Sequence, residues 1–183
     1  MSRQRAERSD VRRHREAILD AAARVFSEHG VHVSLDAIVE ASGLSKGTLY
    51  RRYPDRIALL VALFNREVDA VCRFGDTLPP HEALMGMLGY VADTARRSPA
   101  LADGWRMVPT HHPEYVQARD RLAERLAGPL EAAKASGLVR GDLAIGDLVL
   151  AFRLVAIPVM SAEGEALAER TLDLLLRGLL RHD

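Results

Sequence analysis

The segment SLDAIVEASGLSKGTLYRRY, residues 34–53, concentrates side chains whose types and spacing suit contact with a polyanion. Small, hydroxylic and cationic groups of the kind that approach phosphates and base edges closely fall within eight positions, at Ser45, Lys46, Thr48, Arg51 and Arg52. Gly47 is costly inside a helix, but it is useful where the backbone itself must come near another surface. These types in this spacing favour binding to nucleic acid.

Two short helices must position these groups. Ser34 can cap the first helix, Gly43 ends it in a tight turn, and Ser45 can cap the second, which stops before Pro54. Apolar side chains fall where two such helices pack against each other and on a supporting helix, at Ile38, Leu44 and Leu49. The spacing predicts a helix-turn-helix.

The rest of the chain shows helical periodicity and no sustained two-residue alternation, so the predicted fold class is all-α with roughly nine helices. One helix precedes the unit, from Glu16 to the glycine at position 30, and another follows from Asp55 to Arg73. The remaining helices are predicted at 80–97, in a short segment after Ser98 and Pro99, and at 113–136, 143–160 and 163–181.

The run Gly43-Leu-Ser-Lys-Gly-Thr-Leu-Tyr50, followed by Arg-Arg-Tyr-Pro-Asp-Arg, resembles the signature of the TetR family of bacterial transcriptional regulators. The preceding alanine-rich helix, ILDAAARVFSEHG, resembles that family too. The resemblance covers residues 11–64 closely and the remainder only in architecture. It implies a homodimer whose N-terminal heads bind a near-palindromic operator, and a larger helical domain with an effector pocket and the dimer interface.

Within this resemblance, Lys46, Gly47 and Thr48 match positions near base edges and the DNA backbone. Tyr50, Tyr53 and Arg56 match positions that either contact phosphate or brace the head. The resulting set of candidate DNA-binding residues is Ser34, Ser45, Lys46, Gly47, Thr48, Tyr50, Arg51, Arg52, Tyr53 and Arg56.

Charge is unevenly distributed along the chain. Overall, 25 basic and 25 acidic residues balance, but residues 1–56 carry 11 basic and 8 acidic side chains and the remainder is acidic. This favours an anionic partner for the first part only. Together with the resemblance, it implies a DNA-binding domain, 1–56, and a ligand-binding and dimerisation domain, 57–183. Six arginines precede Glu16; they could form a minor-groove arm or a solvated tail, and the composition does not distinguish the two.

Several classes of protein are not expected. The single cysteine, Cys72, excludes an internal disulfide and a thiolate-rich metal site. The N-terminus has no apolar signal-like run, and the most apolar stretch, 143–160, is interrupted by Asp147, Arg153 and Pro158, which argues against a membrane span. We therefore expect a soluble, cytoplasmic protein.

The sequence contains little that indicates a catalytic site or a metal site. GLSKG, residues 43–47, matches the nucleophile-elbow pattern, but that motif needs a strand before its serine and a helix is predicted there. The seven histidines include no Glu-x-x-His pair, and we expect neither a metal nor another cofactor. The alternative to a DNA-binding regulator is a helical small-molecule-binding protein, or an enzyme, that has lost DNA binding.

The last two predicted helices are apolar on two sides, which predicts burial against a second subunit as well as against the core. The candidate dimer-interface residues are Phe152, Leu172, Leu175, Leu176 and Leu179.

Methionine and aromatic residues in the middle of the chain could line a cavity for a hydrophobic effector, although each taken alone could equally be core. The candidate ligand-binding residues are Met85, Trp105, Met107, His111, Phe152 and Arg153. Arg106 and Glu114 are further candidate polar contacts. Because regulators of the family that the chain resembles sense a small molecule in this domain, we expect a ligand-responsive repressor.

Overall fold

The computed structural model describes residues 2–98, 100, 104–156 and 164–180. These residues form eight α-helices and no strand, apart from one isolated antiparallel bridge between Val139 and Leu180, so the all-α prediction is confirmed. The helices are α1 (Ser2–His29), α2 (Leu35–Ser42), α3 (Lys46–Arg52), α4 (Arg56–Gly75), α5 (Pro80–Arg97), α6 (Pro113–Ala135), α7 (Ile145–Ala156) and α8 (Gly164–Leu179). Most of the short helix predicted after Ser98 lies outside the described residues, as do residues 157–163.

The first four helices form a head around one apolar cluster. Ile18, Leu19 and Phe26 of α1 are fully buried against Ile38 of α2 and Leu49 of α3. Because each short helix contributes few buried side chains, its position depends on this shared contact with α1 more than on its own propensity.

Local capping sets the limits of α2 and α3. The Ser34 hydroxyl accepts a hydrogen bond from the Asp36 amide, and the Ser45 hydroxyl accepts one from the Thr48 amide, each at 3.2 Å. Gly43 adopts φ +65°, a left-handed conformation that side chains with a Cβ disfavour, and the chain turns there between the two helices. The predicted helix-turn-helix is therefore present.

Helix α1 is longer than predicted. It begins at Ser2, whereas the apolar periodicity predicted a start at Glu16. The arginine-rich N-terminus is therefore helical in this structure, and its role as a minor-groove arm or a solvated tail stays a prediction. The apolar stripe begins late because the first turns lie beyond the head core; polar residues such as Arg12 and Arg13 are exposed there.

Helices α4 to α8 surround a second apolar cluster. Helix α4 joins the two cores, since Leu59 and Leu63 lie in the head core whereas Val68 and Val71 pack against α5, α6 and α7. Because α4 contributes side chains to both clusters, the two cores do not separate at its first residue. The predicted domain boundary between residues 56 and 57 therefore stays a prediction.

None of the helices in the described ranges is both long and apolar enough to span a membrane. In that same part of the chain, no three histidine, cysteine or acidic side chains converge closely enough to hold a metal ion.

Candidate DNA-binding surface and ligand cavity

Helix α3 presents a basic outer face above a buried contact. Leu49 is fully buried in the head core, which directs the opposite side of the helix outward. The exposed positions on α3 and its cap are Ser45, Lys46, Gly47, Arg51 and Arg52, and Thr48 is half-buried. The structure thus brings together most of the predicted DNA-binding residues on one accessible surface.

Lys46 is paired with an acid that the sequence analysis did not single out. Its Nζ lies 2.8 Å from Asp36 Oδ2, and Tyr50 donates a hydrogen bond to the other carboxylate oxygen at 3.3 Å. The hydrogen bond from Lys46 lowers the pKa of the Asp36 carboxyl, and the same bond raises the pKa of the Lys46 ammonium. The only sequence signal for Asp36 was an acid in the first turn of α2.

Tyr53 and Arg56 brace the head. Tyr53 is only 5% exposed and belongs to the head core, and the Arg56 guanidinium donates a hydrogen bond to the Val31 carbonyl, in the turn between α1 and α2. Of the two roles that the sequence left open for these residues, the structure shows bracing. Ser34 is exposed, but its hydroxyl is used in capping α2.

A cavity of about 510 Å³ lies among α4, α5, α6, α7 and the segment at 105–110. Its wall is mainly apolar. The side chains that line it come from Phe64, Glu67, Val68, Val71, Tyr90, Val91, Thr94, Trp105, Arg106, Val108, Thr110, Tyr115, Arg119, Leu122, Val149, Leu150, Phe152, Arg153 and Ala156. Its volume is within the range of about 300–1,000 Å³ that is typical of small-molecule sites.

Three of the six predicted ligand-binding residues line this cavity, namely Trp105, Phe152 and Arg153. The other three lie elsewhere. Met107 packs against the head core, Met85 packs against the second core, and His111 is exposed in the turn before α6. Arg106 lines the cavity as expected, whereas Glu114 does not.

Aromatic contacts order one side of the cavity. The rings of Phe64 and Tyr115 stack with centroids 4.7 Å apart, and Trp105 meets Phe64 edge-on at 6.0 Å. Phe64 and Tyr115 were not predicted as site residues. A signal for Phe64 was present, because α4 places it with Glu67, Val68 and Val71 on one helical face.

The predicted dimer-interface residues are largely covered by the chain itself. Leu179 and Phe152 are only 6% and 4% exposed and lie in the second core, and Leu175 and Leu176 are half-buried against it. The side chain of Leu172 lies outside the described residues. Among the described side chains of α7 and α8, the exposed large apolar ones are instead Leu150, Leu154 and Leu174, at 54%, 42% and 55% exposure.

The cavity and the head share side chains. Trp105, Val108 and Tyr115 line the cavity and also pack in or against the head core. Gly104, one residue earlier, lies against Val31 and Leu60 of the head. The cavity wall is therefore in contact with the turn that leads into α2.

Family comparisons agree with both parts of this architecture. The family model described as bacterial regulatory proteins, tetR family, matches residues 18–63, and that of the SbtR-like transcriptional regulator C-terminal domain matches residues 79–181. A TetR transcriptional regulator from Streptomyces coelicolor has 35% sequence identity and a TM-score of 0.64, with 92% of this chain and 99% of that one covered.

Curated relatives match over shorter stretches. An uncharacterized HTH-type transcriptional regulator of Mycobacterium bovis is 33% identical over 68% of this chain and 69% of its own length. The HTH-type transcriptional repressor KstR of Mycolicibacterium smegmatis is 31% identical over 50% of this chain and 48% of its own length. For several of these curated relatives, KstR among them, the match spans about half of the relative's own length. With family models matched across both the head and the larger helical domain, the chain belongs to the TetR family of bacterial transcriptional regulators.

Proposed function

We propose that the protein is a ligand-responsive transcriptional repressor that binds a near-palindromic operator as a homodimer. The observation that carries this proposal is the sharing of Trp105, Val108 and Tyr115 between the cavity wall and the core of a head with an exposed basic helix. The repressors named KstR among the relatives support repression as the sign of control.

DNA contact depends on α3 and the groups around it. Lys46, Arg51 and Arg52 supply positive charge for phosphates, and the small Ser45 and Gly47 allow the helix to approach base edges. Because Asp36 neutralises Lys46 in the free protein, a DNA phosphate must compete with Asp36 for that ammonium group. The Asp36–Lys46 pair is largely exposed, so this competition costs little.

Dimerisation uses the exposed face formed by Leu150, Leu154 and Leu174. A second copy related by a twofold axis would cover the same three leucines with its own, which is how a closed symmetric interface buries apolar surface. Two heads held in this way can meet two half-sites about one helical turn of DNA apart, roughly 34–36 Å.

Effector control follows from the shared wall. A ligand that displaces Trp105 or Val108 shifts the segment next to Gly104, and Gly104 contacts Val31 in the head. A ligand that favours a head spacing unlike that of the operator lowers DNA affinity, with a typical coupling of about 1–3 kcal/mol. No catalytic activity is proposed, and a repressor of bacterial genes would act in the cytoplasm.

The test begins with selection of bound duplexes from a random-sequence library, followed by gel shifts at several salt concentrations. We expect a palindromic consensus and an affinity that falls steeply with salt. Arg51→Gln with Arg52→Gln should weaken binding, whereas Arg140→Gln, an exposed change in the loop before α7, should not. Failure to enrich any sequence, with no salt-dependent shift, would favour a ligand-binding protein that has lost DNA binding.

A further inference from the structure

One acidic side chain, Glu67, lies on the wall of the cavity described above. Helix α4 places it on the same face as Phe64, Val68 and Val71, and the side chain is half-buried. Among the described residues that line the cavity, it is the only one with a carboxylate. A charged group at an otherwise apolar helical position calls for a physical explanation.

The Glu67 carboxylate has no hydrogen-bond partner among the described residues. In the described part of the chain, no side chain or amide hydrogen-bonds to it and no cation lies within ion-pair distance. Arg66, Arg73 and Arg97 act on it only at a distance, and Arg66 is already paired with Asp20 at 2.7 Å. Removal from water raises the pKa of the Glu67 carboxyl in spite of these three arginines.

The arginines that line the cavity do not compensate for this. Arg106 and Arg153 are exposed, and Arg119 donates two hydrogen bonds to Asp120, at 2.6 and 2.9 Å. None of the three is among the charges that act on Glu67. The cavity wall therefore carries one acid and three arginines, and none of these arginines forms an ion pair with Glu67 among the described contacts.

We propose that Glu67 determines the ligand specificity of the cavity: the ligand is an amphipathic small molecule whose apolar body packs on the aromatic wall and whose ammonium or hydroxyl group donates a hydrogen bond to the Glu67 carboxylate. A donor at this position would bond to a half-buried carboxylate that has no hydrogen-bond partner among the described residues, and charged hydrogen bonds are stronger than neutral ones. This inference rests on the proposed effector role of the cavity.

Three probes with one body and different head groups test the proposal: phenylbutylamine, phenylbutanol and phenylbutyrate. Trp105 is the only tryptophan and lies on the wall, so its fluorescence reports occupancy. We expect the amine to bind most tightly, the alcohol next and the carboxylate most weakly. Glu67→Gln should weaken amine binding about tenfold and alcohol binding less than about threefold. Glu124→Gln, an exposed change on α6 outside the cavity, should alter neither.

Tightest binding of the carboxylate, equal binding of the amine to the wild type and Glu67→Gln, or no saturable binding of the amine would each overturn the inference. Parallel gel shifts on the selected operator separate this inference from the proposed function. If a probe binds in a way that depends on Glu67 but does not release DNA, the proposed ligand chemistry is supported and effector control is contradicted. Release of DNA by a probe whose binding ignores Glu67 supports effector control and contradicts the ligand chemistry.

Discussion

Gly104 and Val31 are in such close contact that a Cβ built on Gly104 would lie 2.6 Å from the Val31 Cγ1 atom and 2.9 Å from a methyl carbon of Leu60. The Val31 carbonyl accepts the hydrogen bond from Arg56, so the contact falls where the head is braced. Because Trp105 follows Gly104 in the chain and lines the cavity, this glycine places the cavity wall next to the turn before α2.

Gly104→Ala is therefore expected to disturb the head. The added methyl forces Val31 or Leu60 to move, and overpacking of this kind typically costs about 1–3 kcal/mol of unfolding free energy. We expect weaker operator binding in the absence of any ligand, together with a lower melting temperature, measured by gel shift and thermal denaturation.

A matched change serves as the control for Gly104→Ala. A Cβ at Gly89, inside α5, meets nothing within 4 Å, so Gly89→Ala should leave DNA affinity unchanged and should stabilise the helix by roughly 0.5–1 kcal/mol. If the two variants bind DNA equally well, the contact between Gly104 and Val31 does not connect the cavity to the head.

Leu49→Ala tests the dependence of α3 on its single buried residue. Leu49 is fully buried, and truncation of such a side chain costs about 2–5 kcal/mol, more than a seven-residue helix can restore by propensity. We expect loss of operator binding and a lower urea midpoint by circular dichroism. Leu138→Ala, at a 37% exposed position, should change stability by less than about 0.5 kcal/mol.

Lys46→Gln should weaken binding to every DNA sequence by a similar factor, since the ammonium group is assigned to phosphate. The slope of log affinity against log salt should become shallower by about one unit. The fold should be unaffected, because the pair with Asp36 is largely exposed and contributes little. If Lys46→Gln leaves the salt slope unchanged, Lys46 does not contact a DNA phosphate.

Local chemistry explains which features were predictable from the sequence. Ser34, Gly43 and Ser45 act within a few residues of their own positions, so the limits of α2 and α3 follow from residue types alone. The same holds for α5, which begins at Pro80 and ends at Arg97 as predicted, because a proline suits the first turn of a helix.

Tertiary packing explains what was not predictable. Leu174 and Leu179 belong to the same apolar helix, and nothing in its periodicity tells which of them the chain covers; the structure exposes the first and buries the second. Met107 suits a cavity by its chemistry but lies against the head core. Glu67 becomes notable only once α5, α6 and α7 enclose the face on which it lies.

The raised pKa of Glu67 predicts a pH-dependent effect on stability. Burial raises this pKa above its ordinary value of 4.5, so ionisation opposes folding. The resulting penalty is absent below a pH of about 4.5, grows up to the folded-state pKa, and stays constant above it. Glu67→Gln cannot ionise, and it should melt at a higher temperature than the wild type at about pH 7.5, with an advantage that declines as the pH falls.

Melting curves across this pH range check the sign of the Glu67 effect. The exposed Glu124→Gln should follow the wild type at every pH. A Glu67→Gln protein whose melting temperature falls relative to the wild type as the pH rises would mean that the carboxylate is satisfied in the folded protein.

The last prediction concerns the exposed apolar face on α7 and α8. Leu154→Glu with Leu174→Glu should yield folded monomers in sedimentation analysis, because both side chains are largely exposed within one chain and the charges would have to be buried in the dimer. Operator binding should be lost although neither residue contacts DNA, since one head reaches only one half-site. Leu138→Glu, at an exposed position outside both helices, should remain dimeric, whereas Leu179→Glu should unfold because that residue is 6% exposed. If the double variant is still a dimer with normal operator affinity, the subunits meet through a different surface and these leucines need another explanation.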